Sequence, residues 1–182
     1  LVVAIGAYRN DGTANSAGHV RVYVWDGSTW VQRGSDIDGE AYDDASGVSV
    51  SLSADGSVVA IGAQRNDGNG SDAGHVRLYA WNGSSWAQRG SDIDGEAAGD
   101  ASGASVSLSA DGSGVAIGAF RNDGTGQNAG HVRIFKVSGT NDNADNCPLV
   151  ANADQLNTDG DAFGDGCDTD DDDDGVADTD DA

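Results

Sequence analysis

Basic residues are scarce in this chain. Lys and Arg together number 9 in 182 residues, against 31 Asp and Glu, for a formal net charge of −22. Contacts to phosphate groups need Lys and Arg, so this balance argues against nucleic acid and anionic membrane surfaces as partners. No apolar run is long enough to span a bilayer, which predicts no membrane insertion within this stretch. Cations and basic partners remain compatible with the composition.

Methionine is absent, and the chain carries no signal-peptide pattern. It opens directly on LVVAIGA, which is typical of the middle of a strand. We therefore interpret the sequence as an internal stretch of a longer protein. On that interpretation, the missing targeting signals say nothing about its compartment.

Charge is spread unevenly along the sequence. Residues 142–182 hold 15 of the 31 acidic residues, all of them Asp, and no Lys or Arg. This break in composition near Gly139 predicts a domain boundary. We expect a first domain over residues 1–138, a linker over 139–141 and a second, truncated domain over 142–182.

A repeat of 56 residues dominates the first domain. VVAIGA recurs at 2 and 58, GHVR at 18, 74 and 130, QRGSDIDGEA at 32 and 88, and VSLSADGS at 50 and 106. The repeat covers residues 1 to about 136, or roughly two and a half units.

Each unit has the pattern of several β-strands. Val50 and Leu52 alternate with serines, VVAIGA is an apolar run typical of a strand buried on both faces, and WAQRGSDI predicts a fourth strand. Asp55-Gly56 predicts a two-residue hairpin with positive φ. No stretch has a helical period. We predict an all-β fold, a partial β-propeller of four-stranded antiparallel blades. A parallel β-helix is the competing architecture, although its coils are usually much shorter.

The repeat resembles the FG-GAP family, whose units form the blades of integrin α-chain heads and of many bacterial surface proteins. The matching positions are Gly47-Val48-Ser49-Val50, Asp55-Gly56, Ile61-Gly62-Ala63 and Gly74-His75-Val76-Arg77-Leu78-Tyr79. The resemblance implies a propeller with a role in adhesion. The chain departs from the family pattern because Ser46 and Ser102 stand where Phe leads. The calcium loop of some members is also shortened to SADGS, so no metal site is assigned to these hairpins.

Several repeat-related side chains have two interpretations each. His19, His75 and His131 could form a zinc site, but equivalent positions on a ring lie far apart, which favours a structural role. The Trp pairs 25/30 and 81/86 suit either a sugar-binding rim or a cross-strand pair, and we favour the pair. The RNDG loops suit either a cation or Asx turns, and we favour the turns. Catalysis needs unlike groups in one place, so the repetition predicts no enzyme activity.

The second domain fits a calcium-loop template with ligands at positions 1, 3, 5, 9 and 12. One frame contains Asn157, Asp159, Asp161, Asp165 and Asp168, and the other contains Asp170, Asp172, Asp174, Asp178 and Asp181. Gly175 falls at position 6 of the second frame, where the loop must turn sharply, whereas the first frame has Ala162 there. We predict that these ten residues bind Ca²⁺. A solvated, disordered acidic tail is the alternative.

Cys147 and Cys167 bracket the first frame, 20 residues apart. A disulfide closing such a loop contributes about 3 kcal/mol. Zinc is the alternative, but the sequence offers no CxxC pair or His partner nearby. We expect the disulfide, which implies an oxidising compartment.

The second domain resembles the thrombospondin type 3 repeat. The matching motifs are Asp145-Asn146-Cys147-Pro148, Asn152, Asp154-Gln155 and Cys167-Asp168 together with the Asp-rich loops between and after them. The resemblance implies a segment poor in secondary structure that binds several calcium ions and has little other core.

Together these observations predict a secreted or cell-surface, calcium-binding adhesion protein. The propeller would offer a face to extracellular proteins or glycans, and the Asp-rich segment would act as a calcium-rigidified spacer. Two alternatives remain: an accessory region of a secreted hydrolase, and a purely structural surface-layer or matrix repeat.

Overall fold

The computed structural model describes residues 1–137, in which the chain forms β-strands and turns and no helix. The strands are β1 (Val2–Ala7), β2 (His19–Trp25), β3 (Trp30–Gln32), β4 (Ile37–Asp38), β5 (Ser49–Leu52), β6 (Val58–Ala63), β7 (His75–Trp81), β8 (Trp86–Gln88), β9 (Ile93–Asp94), β10 (Ser102–Leu108), β11 (Gly114–Ala119) and β12 (His131–Lys136). The predicted all-β fold class is therefore confirmed.

The strands form three antiparallel sheets that follow the sequence repeat. The first has the order β1-β2-β3 with β4 also on β2, the second β5-β6-β7-β8 with β9 also on β7, and the third β10-β11-β12. Ala7 pairs with His19, Ala63 with His75 and Ala119 with His131, so the register is the same in each repeat. The 56-residue period thus specifies pairing as well as strand position.

The predicted fourth strand, WAQRGSDI, is wrong as one continuous strand. It is split into β8 and β9, which pair with opposite ends of β7. Gly90, between the two pieces, has a φ of +78°, which breaks the extended conformation. The two short strands together occupy one strand position, so the second sheet has four positions.

The Asp55-Gly56 turn also differs from its prediction. Gly56 has the expected positive φ of +69°, but Ser53 N donates to Val58 O at 3.0 Å, so the loop has four residues instead of two. Asp55 Oδ1 accepts bonds from Ser53 Oγ at 2.6 Å and Ser57 N at 2.9 Å. These side-chain bonds stabilise the wider loop.

The core lies between the sheets, which pack face to face. Val20 and Val22 of the first sheet cluster with Val59, Ile61 and Tyr79 of the second. A second cluster joins the second sheet to the third, and its buried members are Val58, Ala60, Val76, Leu78, Val115 and Ile117. Alternate residues of β6 therefore face opposite neighbours. This is why all six residues of β6 are buried, as the apolar run predicts.

The same repeat positions are open on the two outer faces of the stack. Ile5, equivalent to the buried Ile61, is 54% exposed, and Ile134, equivalent to Leu78, is 81% exposed. Exposed apolar residues in one patch mark surfaces that are suited to packing. The first and third sheets thus each expose apolar side chains whose equivalents in the second sheet are buried between two sheets.

Candidate functional site

The predicted calcium ligands and cysteines fall outside the described residues. They are Asn157, Asp159, Asp161, Asp165, Asp168, Asp170, Asp172, Asp174, Asp178 and Asp181, with Cys147 and Cys167. The 139–141 linker lies there too. These assignments stay predictions, and the candidate sites below come from residues 1–137.

The RNDG loops use their side-chain oxygens on their own backbone. Asn10 Oδ1 accepts from Gly12 N at 2.8 Å, and Asp11 Oδ1 accepts from Ser16 N at 2.8 Å. The loops at Asn66 and Asn122 repeat the first of these bonds. The Asx-turn interpretation is confirmed for the three loops.

Two buried Asp–Asn pairs tie these loops to the preceding repeat. Asn66 Nδ2 donates to Asp44 Oδ2 at 3.2 Å, and Asn122 Nδ2 donates to Asp100 Oδ2 at 2.8 Å. Asp44 is only 3% exposed, and its carboxylate also accepts from Ala41 N at 2.9 Å. A buried carboxylate is tolerated when its oxygens are hydrogen-bonded, so these pairs fix the loop positions at each junction.

In the two SADGS hairpins, the aspartate side chain is hydrogen-bonded to serines of its own hairpin. The Ser53 hydroxyl, followed by the backbone N–H and hydroxyl of Ser57, lowers the pKa of Asp55 to about 2. Asp111 has the same arrangement, and its pKa is also lowered to about 2 by bonds from Ser109 and Ser113. One oxygen of each carboxylate is thus engaged by three donors of its own hairpin.

The tryptophans form cross-strand pairs, as favoured above. Trp25 pairs in register with Trp30 at a centroid distance of 5.5 Å, and Trp81 with Trp86 at 5.4 Å. The second pair packs on the first sheet, because Trp86 Nε1 donates to Arg33 O at 2.8 Å and the Arg33 guanidinium lies 5.0 Å from the Trp81 ring. The pairs therefore close hairpins, and one of them also joins two sheets.

A hollow of about 380 Å³ opens beside this contact, between the outer strands of the first two sheets. Trp86 and Tyr79 line it together with the carboxylates of Asp36 and Asp38. An aromatic face beside polar groups is the usual lining of a small-molecule site. If the tryptophans bind sugar, Trp86 would therefore do so, in this hollow.

The loops between β1 and β2, β6 and β7, and β11 and β12 lie at one end of the sheets, which we call the loop end. A hollow of about 330 Å³ opens there. It is lined by Asp43, Gln64, Arg65, Asp72, Phe120 and Arg121. A smaller hollow of about 30 Å³ lies beside it, lined in part by Tyr8, Arg9, Asp43 and Gln64. Both hollows combine guanidinium, carboxylate and aromatic or amide groups.

The loop-end hollows are lined by residues that vary among the repeats. Tyr8, Gln64 and Phe120 are equivalent, each being the first residue after its apolar strand. From the sequence these differences indicate no catalytic chemistry. In the structure all three positions line the hollows. The repeated residues thus form the frame, and the variable ones form part of the hollow surface.

The three histidines lie at equivalent positions in three different sheets. His19 begins β2, His75 begins β7 and His131 begins β12. They do not share one site, in agreement with the structural interpretation. Each one instead lies near a carboxylate, which sequence reasoning missed.

His75 has the most enclosed of these environments. Its side chain is 2% exposed, and Nδ1 lies 3.4 Å from Asp92 Oδ2. Glu40 of the preceding repeat completes a cluster in which one ligand atom from each residue lies within 4.8 Å of the others. Burial lowers the pKa of His75, and the negative charge of Asp92 offsets this only in part. The imidazole is therefore neutral near pH 7.

The side chains of the other two histidines are less buried than that of His75. His19 forms a second group of possible metal ligands, with Nδ1 3.5 Å from Asp36 and 3.9 Å from Asp38. Arg21 already binds Asp36 through contacts of 2.9 and 2.7 Å. His131 Nδ1 lies 3.5 Å from Glu96, and its side chain is 27% exposed. A 17-residue spacing, His19 to Asp36 and His75 to Asp92, was the sequence signal for these clusters.

In residues 1–137 the fold is a repeat architecture of stacked antiparallel sheets with polar clusters at the junctions. No protein-family model matches the chain, and no curated protein shows significant similarity to it. Across the described part of the chain, no helix is suited to crossing a membrane.

Proposed function

We propose that this chain belongs to a calcium-stabilised, extracellular or cell-surface binding protein without enzymatic activity. In this proposal the three sheets are successive blades of a β-propeller of the FG-GAP type. The loop end is the ligand-binding face, and residues 142–182 are a thrombospondin type 3-like spacer rigidified by Ca²⁺. The partner is an extracellular protein or glycan.

The blade assignment is supported by the sheet geometry. The second sheet has four antiparallel strand positions, successive sheets pack face to face, and the period is one sheet per repeat. The exposed Ile5 and Ile134 occupy positions that neighbouring sheets cover elsewhere. A ring of blades would cover both, since each blade in a propeller packs between two others.

The observation that carries the binding role is the lining of the loop-end hollows. Tyr8, Gln64 and Phe120 differ among repeats whose strands and turns are otherwise nearly identical. Arg65 and Arg121 stand beside them with Asp43 and Asp72. Such a surface suits a polar partner, since aromatic and Arg side chains dominate binding energies at interfaces.

Loop-end binding predicts that Phe120→Ala weakens partner binding by at least about tenfold, the loss expected for one well-placed aromatic contact. Phe120 is 54% exposed, so the change should leave stability almost unaffected. Arrays of glycans and extracellular-matrix proteins would identify the partner, and titration would give its affinity. Trp30→Ala is the matched control, because Trp30 is 42% exposed and lies in the hairpin at the opposite end of β2. Equal losses in both variants would contradict the proposal.

Calcium binding by residues 142–182 is a second prediction. Sites with a Kd of about 10⁻⁴ M, in about 1 mM calcium, would each contribute about 1.4 kcal/mol of stability. Calorimetric titration of the whole chain should show saturable binding, and Asp172→Asn should weaken it. Asp145→Asn is the control, since Asp145 lies outside both predicted frames. A titration without saturation would refute the calcium part of the proposal and leave the loop-end binding untouched.

A further inference from the structure

His75 carries a buried polar atom with no hydrogen-bond partner in the structure. Its Nδ1 is one of three such side-chain atoms among the described residues. Leaving a buried polar atom unsatisfied costs about 1–3 kcal/mol, so such an atom calls for an explanation. The atom faces Asp92 at 3.4 Å but makes no hydrogen bond to it.

The spacing of the surrounding groups fits a bound ion better than a hydrogen bond. Donors that lie 2.0–2.2 Å from a tetrahedral ion are about 3.3–3.6 Å apart. The distance between His75 Nδ1 and Asp92 Oδ2 is 3.4 Å, which matches one edge of such a tetrahedron. Glu40 offers a third ligand atom within 4.8 Å of the other two.

We propose that Glu40, His75 and Asp92 bind one divalent transition-metal ion, of the zinc type, at the junction between the first two sheets. Imidazole nitrogen together with carboxylate oxygen suits Zn²⁺ and related ions, whereas Ca²⁺ takes oxygen ligands. Three protein ligands leave a fourth position for water. This ion is distinct from the calcium proposed for residues 142–182.

The charge and access of the cluster support the assignment. Arg77 Nη1 lies 3.0 Å from Glu40 Oε1, so this guanidinium offsets one of the two carboxylates and the cluster keeps a net negative charge. The Glu40 side chain is 48% exposed and that of Asp92 is 30% exposed, so an ion can enter from solvent without opening the core.

The ion would join two repeats. Glu40 belongs to the first repeat, whereas His75 and Asp92 belong to the second. A ligand that binds only the assembled junction stabilises it by mass action. At the second junction Glu96 and His131 recur, but among the described residues no third ligand joins them.

The test is titration of the whole chain with Zn²⁺ in excess calcium, which saturates any calcium sites first. We expect saturable binding of one Zn²⁺, with a shift of the His75 imidazole resonances in NMR spectra. Asp92→Asn and His75→Gln should each weaken that binding by at least about tenfold. His131→Gln is the matched control, since His131 faces Glu96 and belongs to no group of three possible metal ligands in the described part of the chain, and it should leave the affinity unchanged.

Three outcomes would overturn the proposal. They are no saturable Zn²⁺ binding in calcium, an unchanged His75 resonance on saturation, and equal losses in Asp92→Asn and His131→Gln. Asp92 is partly exposed, so its variant keeps the test valid where His75→Gln fails to fold. Calcium binding is measured in a separate titration, so a negative result with Zn²⁺ would not contradict the proposed function.

Discussion

Replacing Ile61 with alanine is expected to lower the free energy of unfolding of the sheets by about 2–5 kcal/mol. Ile61 is 2% exposed and packs in the cluster that joins the first two sheets, with Val20, Val22 and Tyr79. Removing three methyl or methylene groups there loses apolar burial and leaves a cavity, because close-packed neighbours relax only in part.

Ile5→Ala provides the matched control. Ile5 has the same place in its repeat but is 54% exposed on an outer face, so its loss should cost well under about 1 kcal/mol. Urea unfolding followed by far-UV circular dichroism would give both values. Similar values for the two variants would show that the sheets do not pack as described.

Strand positions and burial of the apolar runs could be predicted from the sequence because they depend on local pattern. VVAIGA predicts a strand buried on both faces, and β6 has this burial. The equivalent β1 and β11 are less buried, because each is covered on one side only within the described residues. The pattern of a segment specifies its strand, but its burial depends on the neighbours that cover it.

Two of the predictions made from the sequence were wrong, and both concern backbone conformation over several residues. The Asp55-Gly56 motif predicted a two-residue turn, but serine hydroxyls on both sides stabilise a four-residue loop instead. A single continuous strand through Gly90 was also predicted, but the positive φ of Gly90 splits this strand in two. Neither outcome follows from apolar periodicity.

The cluster of Glu40, His75 and Asp92 could not be derived from the sequence of one repeat alone. Glu40 is 35 residues from His75 in the sequence and reaches it only because successive sheets stack. Once stacking is known, the cluster follows from the period, since His75 and Glu40 both recur 56 residues later. The loop-end hollows have the same origin, because Gln64 and Phe120 come from different repeats.

The stacking itself depends on glycines at which two backbones meet. In β6, a Cβ added to Gly62 would overlap the carbonyl oxygen of Gly103, which lies in β10 of the third sheet. Gly6 meets Gly47 in the same way at the first junction. Absence of a side chain at these positions therefore sets how closely consecutive sheets approach.

Gly62→Ala is accordingly expected to destabilise the fold by about 3 kcal/mol or more, at the upper end of the cost of overpacking a core. The obstacle is backbone, which cannot rotate aside as a side chain can, so the two sheets must separate. Chemical unfolding should show a lowered midpoint, and loss of packing at the second junction should increase hydrogen exchange in β10.

Gly118→Ala is the control at the equivalent position of the third repeat. The added Cβ there meets the hydroxyl of Ser105, while the nearest backbone atom is 3.8 Å away. Rotation of the serine side chain relieves this contact, so the cost should be at most about 1 kcal/mol. Equal destabilisation by the two alanine variants would contradict this explanation. The cost would then come from the strand conformation at the glycine position and not from the close approach of the sheets. A large difference in the expected direction would identify the Gly62–Gly103 contact as the feature that sets the spacing of the second and third sheets.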